Sequence, residues 1–178
     1  MNQENIHKEA KLVRPVVNKI LTAVCLLILV NFFLSVYLTY EFFYPSQESF
    51  CAINAVFNCA TVAESEYAIF LGIPVAVWGL GFYGFLFIGT LGVVLNWPFR
   101  KIYKKLRPGL VLSTMRYLSY FGILFSLYLT YAEAFVINVY CPFCLAQQAL
   151  IIVIAGLYVW AHKIINKGKE ETKVCEFC

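Results

Sequence analysis

The sequence predicts an all-α membrane protein, a four-transmembrane-helix bundle with an outer loop capping one end. Three observations predict it. The 178-residue chain is 61% hydrophobic and only 13% charged, whereas a soluble domain averages about 45–50% apolar and about 25% charged. Its mean hydropathy is +0.74. Four long stretches carry no charged residue, and the 14 Lys and Arg fall in three groups that four spans would put on one side. Four such helices buried in a soluble protein would leave almost no polar surface, which argues against a water-soluble core.

The first uncharged stretch is 20–40. It is too long for a signal peptide, and no small-residue cleavage site follows it. The second is 68–99. The third is 117–132, extending to about Leu110 if Arg116 snorkels at its end. The fourth is 137–161. A spanning helix needs roughly 20 apolar residues, so these stretches can cross a bilayer. The membrane domain is expected over 19–162, with polar tails at 1–18 and 163–178.

Orientation follows from the basic residues. Lys8, Lys11, Arg14 and Lys19 precede the first span. Arg100, Lys101, Lys104, Lys105, Arg107 and Arg116 lie around the connection between spans two and three. Lys163, Lys167, Lys169 and Lys173 follow span four. All three groups, and both termini, are therefore expected on the cytoplasmic side, touching anionic lipid rather than nucleic acid. Loops 41–67 and 133–140 carry Glu but no Lys or Arg, and are expected outside. His7 and His162 fall on the inner side, away from those loops.

The seven cysteines divide by position. Cys51 and Cys59 lie in the first outer loop. Cys141 and Cys144 form Cys-Pro-Phe-Cys at the outer start of span four. Cys175 and Cys178 form Cys-Glu-Phe-Cys on the inner side, and Cys25 lies alone within span one as a packing residue. Two pairs thus occupy the face where disulfides persist. A Cys-x-x-Cys pair, or a Cys at a helix N-terminus, often has a lowered thiol pKa. Pro142 suits the first helical position, which makes Cys141 the expected cap of span four. Thr61-Val-Ala-Glu64 reads as a capping box opening a short helix after Cys59. Structural disulfides alone, in a membrane scaffold without activity, are one alternative. A zinc site is disfavoured, because zinc pairs its cysteines at short C-x₂₋₄-C spacings and Cys51 and Cys59 are 8 apart. A thiol–disulfide relay suits the pattern better, and no metal is expected. The inner pair Cys175/Cys178 is read first as inert and reduced, with half of a metal site or an inner redox contact as alternatives.

An internal echo supports a two-fold organisation. Ser35-Val-Tyr-Leu-Thr-Tyr40 closes span one, and Ser126-Leu-Tyr-Leu-Thr-Tyr131 closes span three. Glu41 and then Cys51 follow the first; Glu133 and then Cys141 follow the second. Each half is a span, an outer cysteine pair and a second span, so the repeats are parallel about an axis near the membrane normal.

These motifs resemble the vitamin K epoxide reductase family over residues 20–161. The resemblance rests on four features in order: Cys51 and Cys59 at their spacing; the run Cys59-Ala-Thr-Val62-Ala-Glu-Ser65-Glu-Tyr67; the run Gly72-Ile-Pro74-Val-Ala-Val-Trp78-Gly79; and Cys141-Pro-Phe-Cys144. The third is similar to the prokaryotic, disulfide-forming branch. The other bacterial family of quinone-linked disulfide oxidases has its two cysteine pairs in the opposite order.

The resemblance implies a four-helix bundle around a quinone (ubiquinone, menaquinone or a vitamin K-type quinone), capped by the first outer loop. It implies that Cys141 and Cys144 are the membrane-embedded redox centre, with Cys144 beside the quinone. Cys51 and Cys59 would be the shuttle pair, exchanging with a thioredoxin-like partner outside a prokaryotic inner membrane. Ser65 would hold the loop or pocket by hydrogen bonding, and Trp78 would shape span two or touch the ligand. Two departures refine this. The animal enzymes carry Tyr four residues after the second Cys of Cys-x-x-Cys, where this chain has Gln148, so disulfide formation is favoured over vitamin K epoxide reduction. No thioredoxin-like domain follows span four, so the partner is expected to be a separate protein.

Overall fold

The computed structural model describes residues 3–44, 51, 53–54, 56–95 and 108–174, with backbone alone for 3–14, 108 and 167–174. The basic connection 100–107, the side chains of His7, Lys8, Lys11, Arg14, Lys167, Lys169 and Lys173, and the pair Cys175/Cys178 lie outside the described residues. Helix α1 spans Gln3–Phe43, α2 Cys59–Ala63, α3 Val75–Val94, α4 Pro108–Ala132 and α5 Pro142–Val174. Four of these are long and apolar enough to cross a bilayer, over Pro15–Phe43, Val75–Val94, Gly109–Ile137 and Pro142–Asn166. The protein is a multi-pass, all-α membrane bundle. Helix continues past the spans into both stretches read as polar tails.

The second span is shorter than its uncharged stretch. Residues 68–74 are apolar but do not join α3. Ile69–Phe70 and Ile73–Pro74 form a small antiparallel hairpin instead. Leu71 and Gly72, with φ of 54° and 79°, make its turn, and positive φ at both central residues is what a two-residue hairpin turn requires. Pro74 has no amide proton to continue a helix backwards, and fits the helix start. The third span runs beyond Ala132 through a π-helical turn, Glu133–Ile137, and Asn138 at φ 57° ends it. Of residues 137–141, read from composition as part of span four, Ile137 therefore ends span three and 138–141 form the turn between the spans. Span four starts at Pro142, where the Cys-Pro motif puts it.

The long helices form a ring in the order α1, α3, α4, α5, with α3 and α4 touching least. Packing is uneven along the bundle axis. Leu21, Val24 and Ile28 of α1, Leu86 of α3, Leu112 and Met115 of α4, and Ile151, Ile154 and Tyr158 of α5 fill the half nearer the N-terminus of α1. Outward-facing Phe33, Ile88 and Leu124 are each more than 60% exposed, as lipid-facing side chains are. Lipid is as apolar as these residues, so helix association depends on close packing and interhelical hydrogen bonds. Two glycines allow the close approach. A Cβ on Gly79 would sit 2.9 Å from the Ser35 hydroxyl, and one on Gly122 would sit 2.8 Å from the Phe82 ring. Within the packed half, the buried Thr90 and Tyr158 hydroxyls share a hydrogen bond between α3 and α5.

That bond supplies a test of the packed half. Tyr158→Phe is expected to lower unfolding stability by about 0.6–1.7 kcal/mol, the range for interhelical hydrogen bonds in bilayers, measured by denaturation in mixed micelles. An unchanged stability would show that the bond contributes nothing.

Candidate active site

The half of the bundle remote from the N-terminus of α1 is built around sulfur. Asn54 shapes the first loop: its side-chain oxygen accepts from the amides of Val56 and Phe57, and the amides of Ile53 and Asn54 donate to the Phe57 carbonyl. This tight turn folds the chain between Cys51 and Cys59 back on itself, bringing their Cα atoms to 5.4 Å as a disulfide. Helix α2 starts earlier than the Thr61–Glu64 pattern predicts. Asn58 is the N-cap, its oxygen accepting from Ala60 and Thr61, and Glu64 is the C-cap. Asn ranks among the best N-caps, and here it precedes the expected Thr. Cys59 is thereby the first residue of α2.

The turn between α4 and α5 meets this loop through backbone. The Asn58 amide donates to the Tyr140 carbonyl at 3.1 Å, and the Tyr140 amide donates to the Val56 carbonyl at 2.8 Å. Phe57 and Tyr140 form an isolated parallel bridge. Cys141 follows and caps α5, its sulfur accepting the Cys144 amide at 3.1 Å. Cys141 and Cys144 form the second disulfide, with Cα atoms 5.2 Å apart. Phe143, between them, packs edge-on against Tyr37 of α1, ring centroids 5.1 Å apart.

The two pairs touch. The sulfurs of Cys59 and Cys141 are 3.1 Å apart, and Cys51, Cys59 and Cys141 are each no more than 2% exposed. Exchange requires a thiolate to reach a disulfide sulfur directly, and only Cys59 and Cys141 stand so placed. Some of these groups lie within metal-ligand reach: three sulfurs, Cys51, Cys59 and Cys141, fall within 4.8 Å of one another, as do Glu133, Cys141 and Cys144. Thiolates ligate metals, and all four sulfurs here are closed into disulfides.

Beneath the sulfurs lies a cavity of about 380 Å³, within the range of small-molecule sites. Leu38 and Phe42 of α1, Phe82 of α3, and Phe121, Phe125 and Leu129 of α4 give it apolar walls, while Val62, Ser65 and Tyr67 roof it. Cys59, Cys141 and Cys144 all face it. The sequence echo frames it, with Ser35 on α1 and Ser126 and Thr130 on α4.

Ser65 lines the roof, and its hydroxyl donates to the Val62 carbonyl at 2.7 Å. Trp78 lines the wall, but its indole N–H donates to the Phe70 carbonyl, which holds the hairpin to α3 and leaves the ring as its ligand-facing part. Gln148 accepts from the Thr130 hydroxyl. Gln147 donates to the Asn31 carbonyl and the Ser35 hydroxyl, tying α5 to α1 below Cys144. Glu133, Gln147 and Thr130 line the cavity as well. The echo contains Thr130, and no motif marks the other two as site residues. Glu133 stands out in the sequence only as the counterpart of Glu41, and Gln147 only as a polar residue in an apolar span.

The sulfur contact is directly testable. In Cys51→Ser/Cys144→Ser protein, Cys59 and Cys141 are expected to close into a disulfide, read by mass spectrometry of proteolytic fragments. The complementary Cys59→Ser/Cys141→Ser protein is expected to leave Cys51 and Cys144 unlinked. Adding Asn58→Ala to the first protein removes a cap that contributes about 1 kcal/mol, and should slow closure.

The sequence pattern of the Vitamin K epoxide reductase family matches residues 22–160. That match takes in four spans and both cysteine pairs, and the chain belongs to this family of membrane oxidoreductases.

Proposed function

We propose that the protein is a quinone-dependent thiol–disulfide oxidoreductase that reoxidises a separate thioredoxin-like partner, and so supports disulfide formation outside the cytoplasm of a prokaryotic cell. One observation carries this reading: the 3.1 Å contact between Cys59 and Cys141 joins a loop pair to a second pair that faces an apolar cavity.

The cavity's residues fit a quinone ring. Its walls are aromatic and aliphatic, its volume suits a ring with the start of a tail, and the Cys144 sulfur faces into it. A quinone bound there supplies a two-electron acceptor.

The steps at sulfur follow from the contacts. A partner thiolate attacks Cys51, and the resulting mixed disulfide resolves to leave Cys51 and Cys59 reduced. Attack at Cys51 leaves Cys59 to face Cys141, which assigns the partner-facing role to Cys51. Both are buried, so the loop opens for the partner. The Cys59 thiolate then attacks Cys141: the Cys59–Cys141 bond forms, the Cys141–Cys144 bond breaks, and the electron pair leaves on Cys144. Cys51 attacks Cys59, restoring the loop disulfide and leaving Cys141 and Cys144 reduced beside the cavity. A strongly oxidising thioredoxin-like partner has a potential near about −120 mV, and each 30 mV above it adds roughly 1.4 kcal/mol of driving force for two electrons.

Cys144→Ser is expected to abolish oxidation of partner thiols by purified protein supplied with quinone, while Cys25→Ser leaves it at the wild-type rate. Undiminished activity of Cys144→Ser would refute the enzyme reading and favour a scaffold with structural disulfides. Parallel assays with quinone and quinone epoxide separate the two redox activities, and turnover is expected with quinone alone.

A further inference from the structure

We propose that Glu133 is the proton-transfer residue of the Cys141 sulfur, giving a proton when Cys141 leaves as a thiolate and taking one when Cys141 re-forms its disulfide. The proposal rests on the relay described above and deepens it.

Glu133 opens the π-helical turn at the end of α4, and such turns are frequent at functional sites. It is 3% exposed. One carboxylate oxygen accepts the Cys141 amide at 3.1 Å. A carboxylate oxygen and the sulfurs of Cys141 and Cys144 lie within 4.8 Å of one another. The same side chain lines the cavity. Burying a carboxylate is costly, and a neutral amide would accept the Cys141 N–H equally well. What the carboxylate adds is the capacity to hold a proton.

The chemistry needs that capacity. Other titratable groups facing the cavity are the three cysteines, Tyr67 of the roof and Tyr83 of α3. No Lys, Arg or His lines it, and α1, α4 before Glu133, and α5 beyond Cys144 contribute no acid or base among its described residues. Dithiol oxidation releases protons where water is scarce, and Glu133 is the carboxylate placed to receive one.

The steps balance. When Cys51 attacks Cys59, the Cys51–Cys59 bond forms and the Cys59–Cys141 bond breaks. The electron pair goes to the Cys141 sulfur, which takes a proton from the Glu133 carboxyl. When the Cys141–Cys144 disulfide forms again, a quinone held in the cavity would take up the two electrons, and the Cys141 proton returns to Glu133. Glu133 would pass that proton on to the reduced acceptor, and water would supply the acceptor's second proton and reprotonate Glu133; the partner's two thiols release their protons to water, so the protons balance.

The test compares Glu133→Gln with wild type in two measurements. In reduced, quinone-free protein at pH 8, Cys141 alkylation by iodoacetamide is followed by mass spectrometry. Loss of a neighbouring negative charge favours thiolate, so alkylation should quicken about two- to tenfold. With quinone and partner supplied, kcat should nevertheless fall about 10²-fold, the scale of general acid–base catalysis, with KM for quinone unchanged. Wild-type kcat should fall as pH rises through the Glu133 titration, because the cycle starts from the protonated carboxyl, and the Gln variant should lose that limb. More thiolate with slower turnover is a pairing that a purely structural residue does not give. A kcat within threefold of wild type, or a kcat loss without faster alkylation, overturns the proposal. Glu133→Asp, which keeps the carboxylate, takes the place of Gln if that variant fails to fold, with near-wild-type pH dependence expected. Wild-type protein that exchanges disulfides but passes no electrons to quinone would refute the quinone reading instead. The quinone-free alkylation difference would then judge Glu133 alone.

Discussion

Two backbone hydrogen bonds through Tyr140 hold the chemistry of this protein together. The Tyr140 amide and carbonyl clasp Val56 and Asn58, and Cys59 and Cys141 follow immediately on each side. Side-chain reach alone would not bring sulfurs from two separate turns into contact, because each cysteine has one short rotatable arm. Fixing the backbone on both sides removes most of that freedom. Asn54 and Asn58 complete the constraint from within the first loop, one by tightening its turn and the other by starting α2 at Cys59. The described part of the loop is thus a bracket that delivers one sulfur to another.

The bundle beneath divides its labour along its axis. One half is closed by aliphatic packing and by the Thr90–Tyr158 bond. The other half stays hollow, because Phe82, Phe121 and Phe125 surround the space without filling it, and α3 and α4 touch least there. A cavity among packed helices forfeits dispersion contacts. Polar ties around it give some of that back: Gln147 to α1, and Gln148 to Thr130 of α4. These ties cluster just below Cys144, where they hold the part of the wall that this sulfur faces.

The internal echo gains a physical meaning. Ser35, Ser126 and Thr130 come from the repeated segments, and all three face the cavity. The repeats then diverge. Glu133 reaches the Cys141 amide, whereas Glu41, its counterpart, is buried with one carboxylate oxygen lacking a partner among the described residues. The second half carries the Cys141–Cys144 disulfide at the cavity and the first folds over it, a division that two similar halves permit.

Most of the architecture was determined by the sequence alone. Uncharged stretches identify four spans because lipid tolerates few charges over the length of a bilayer. The Cys-Pro step fixed the start of span four, because proline at the first helical turn leaves the preceding residue as cap. The cysteine spacings and the runs around Ser65 and Trp78 were enough to recognise the family. Where local backbone geometry competes with hydropathy, the sequence reading was less exact: residues 69–74 form a hairpin, residues 138–141 a turn, and Asn58 displaced Thr61 as a cap. Only the tertiary structure decided which sulfur meets which, and that Glu133 lies against the redox pair. Those facts depend on hydrogen bonds between Tyr140 and a loop some eighty residues earlier, and nothing in local propensity or hydrophobic period encodes a partner so distant.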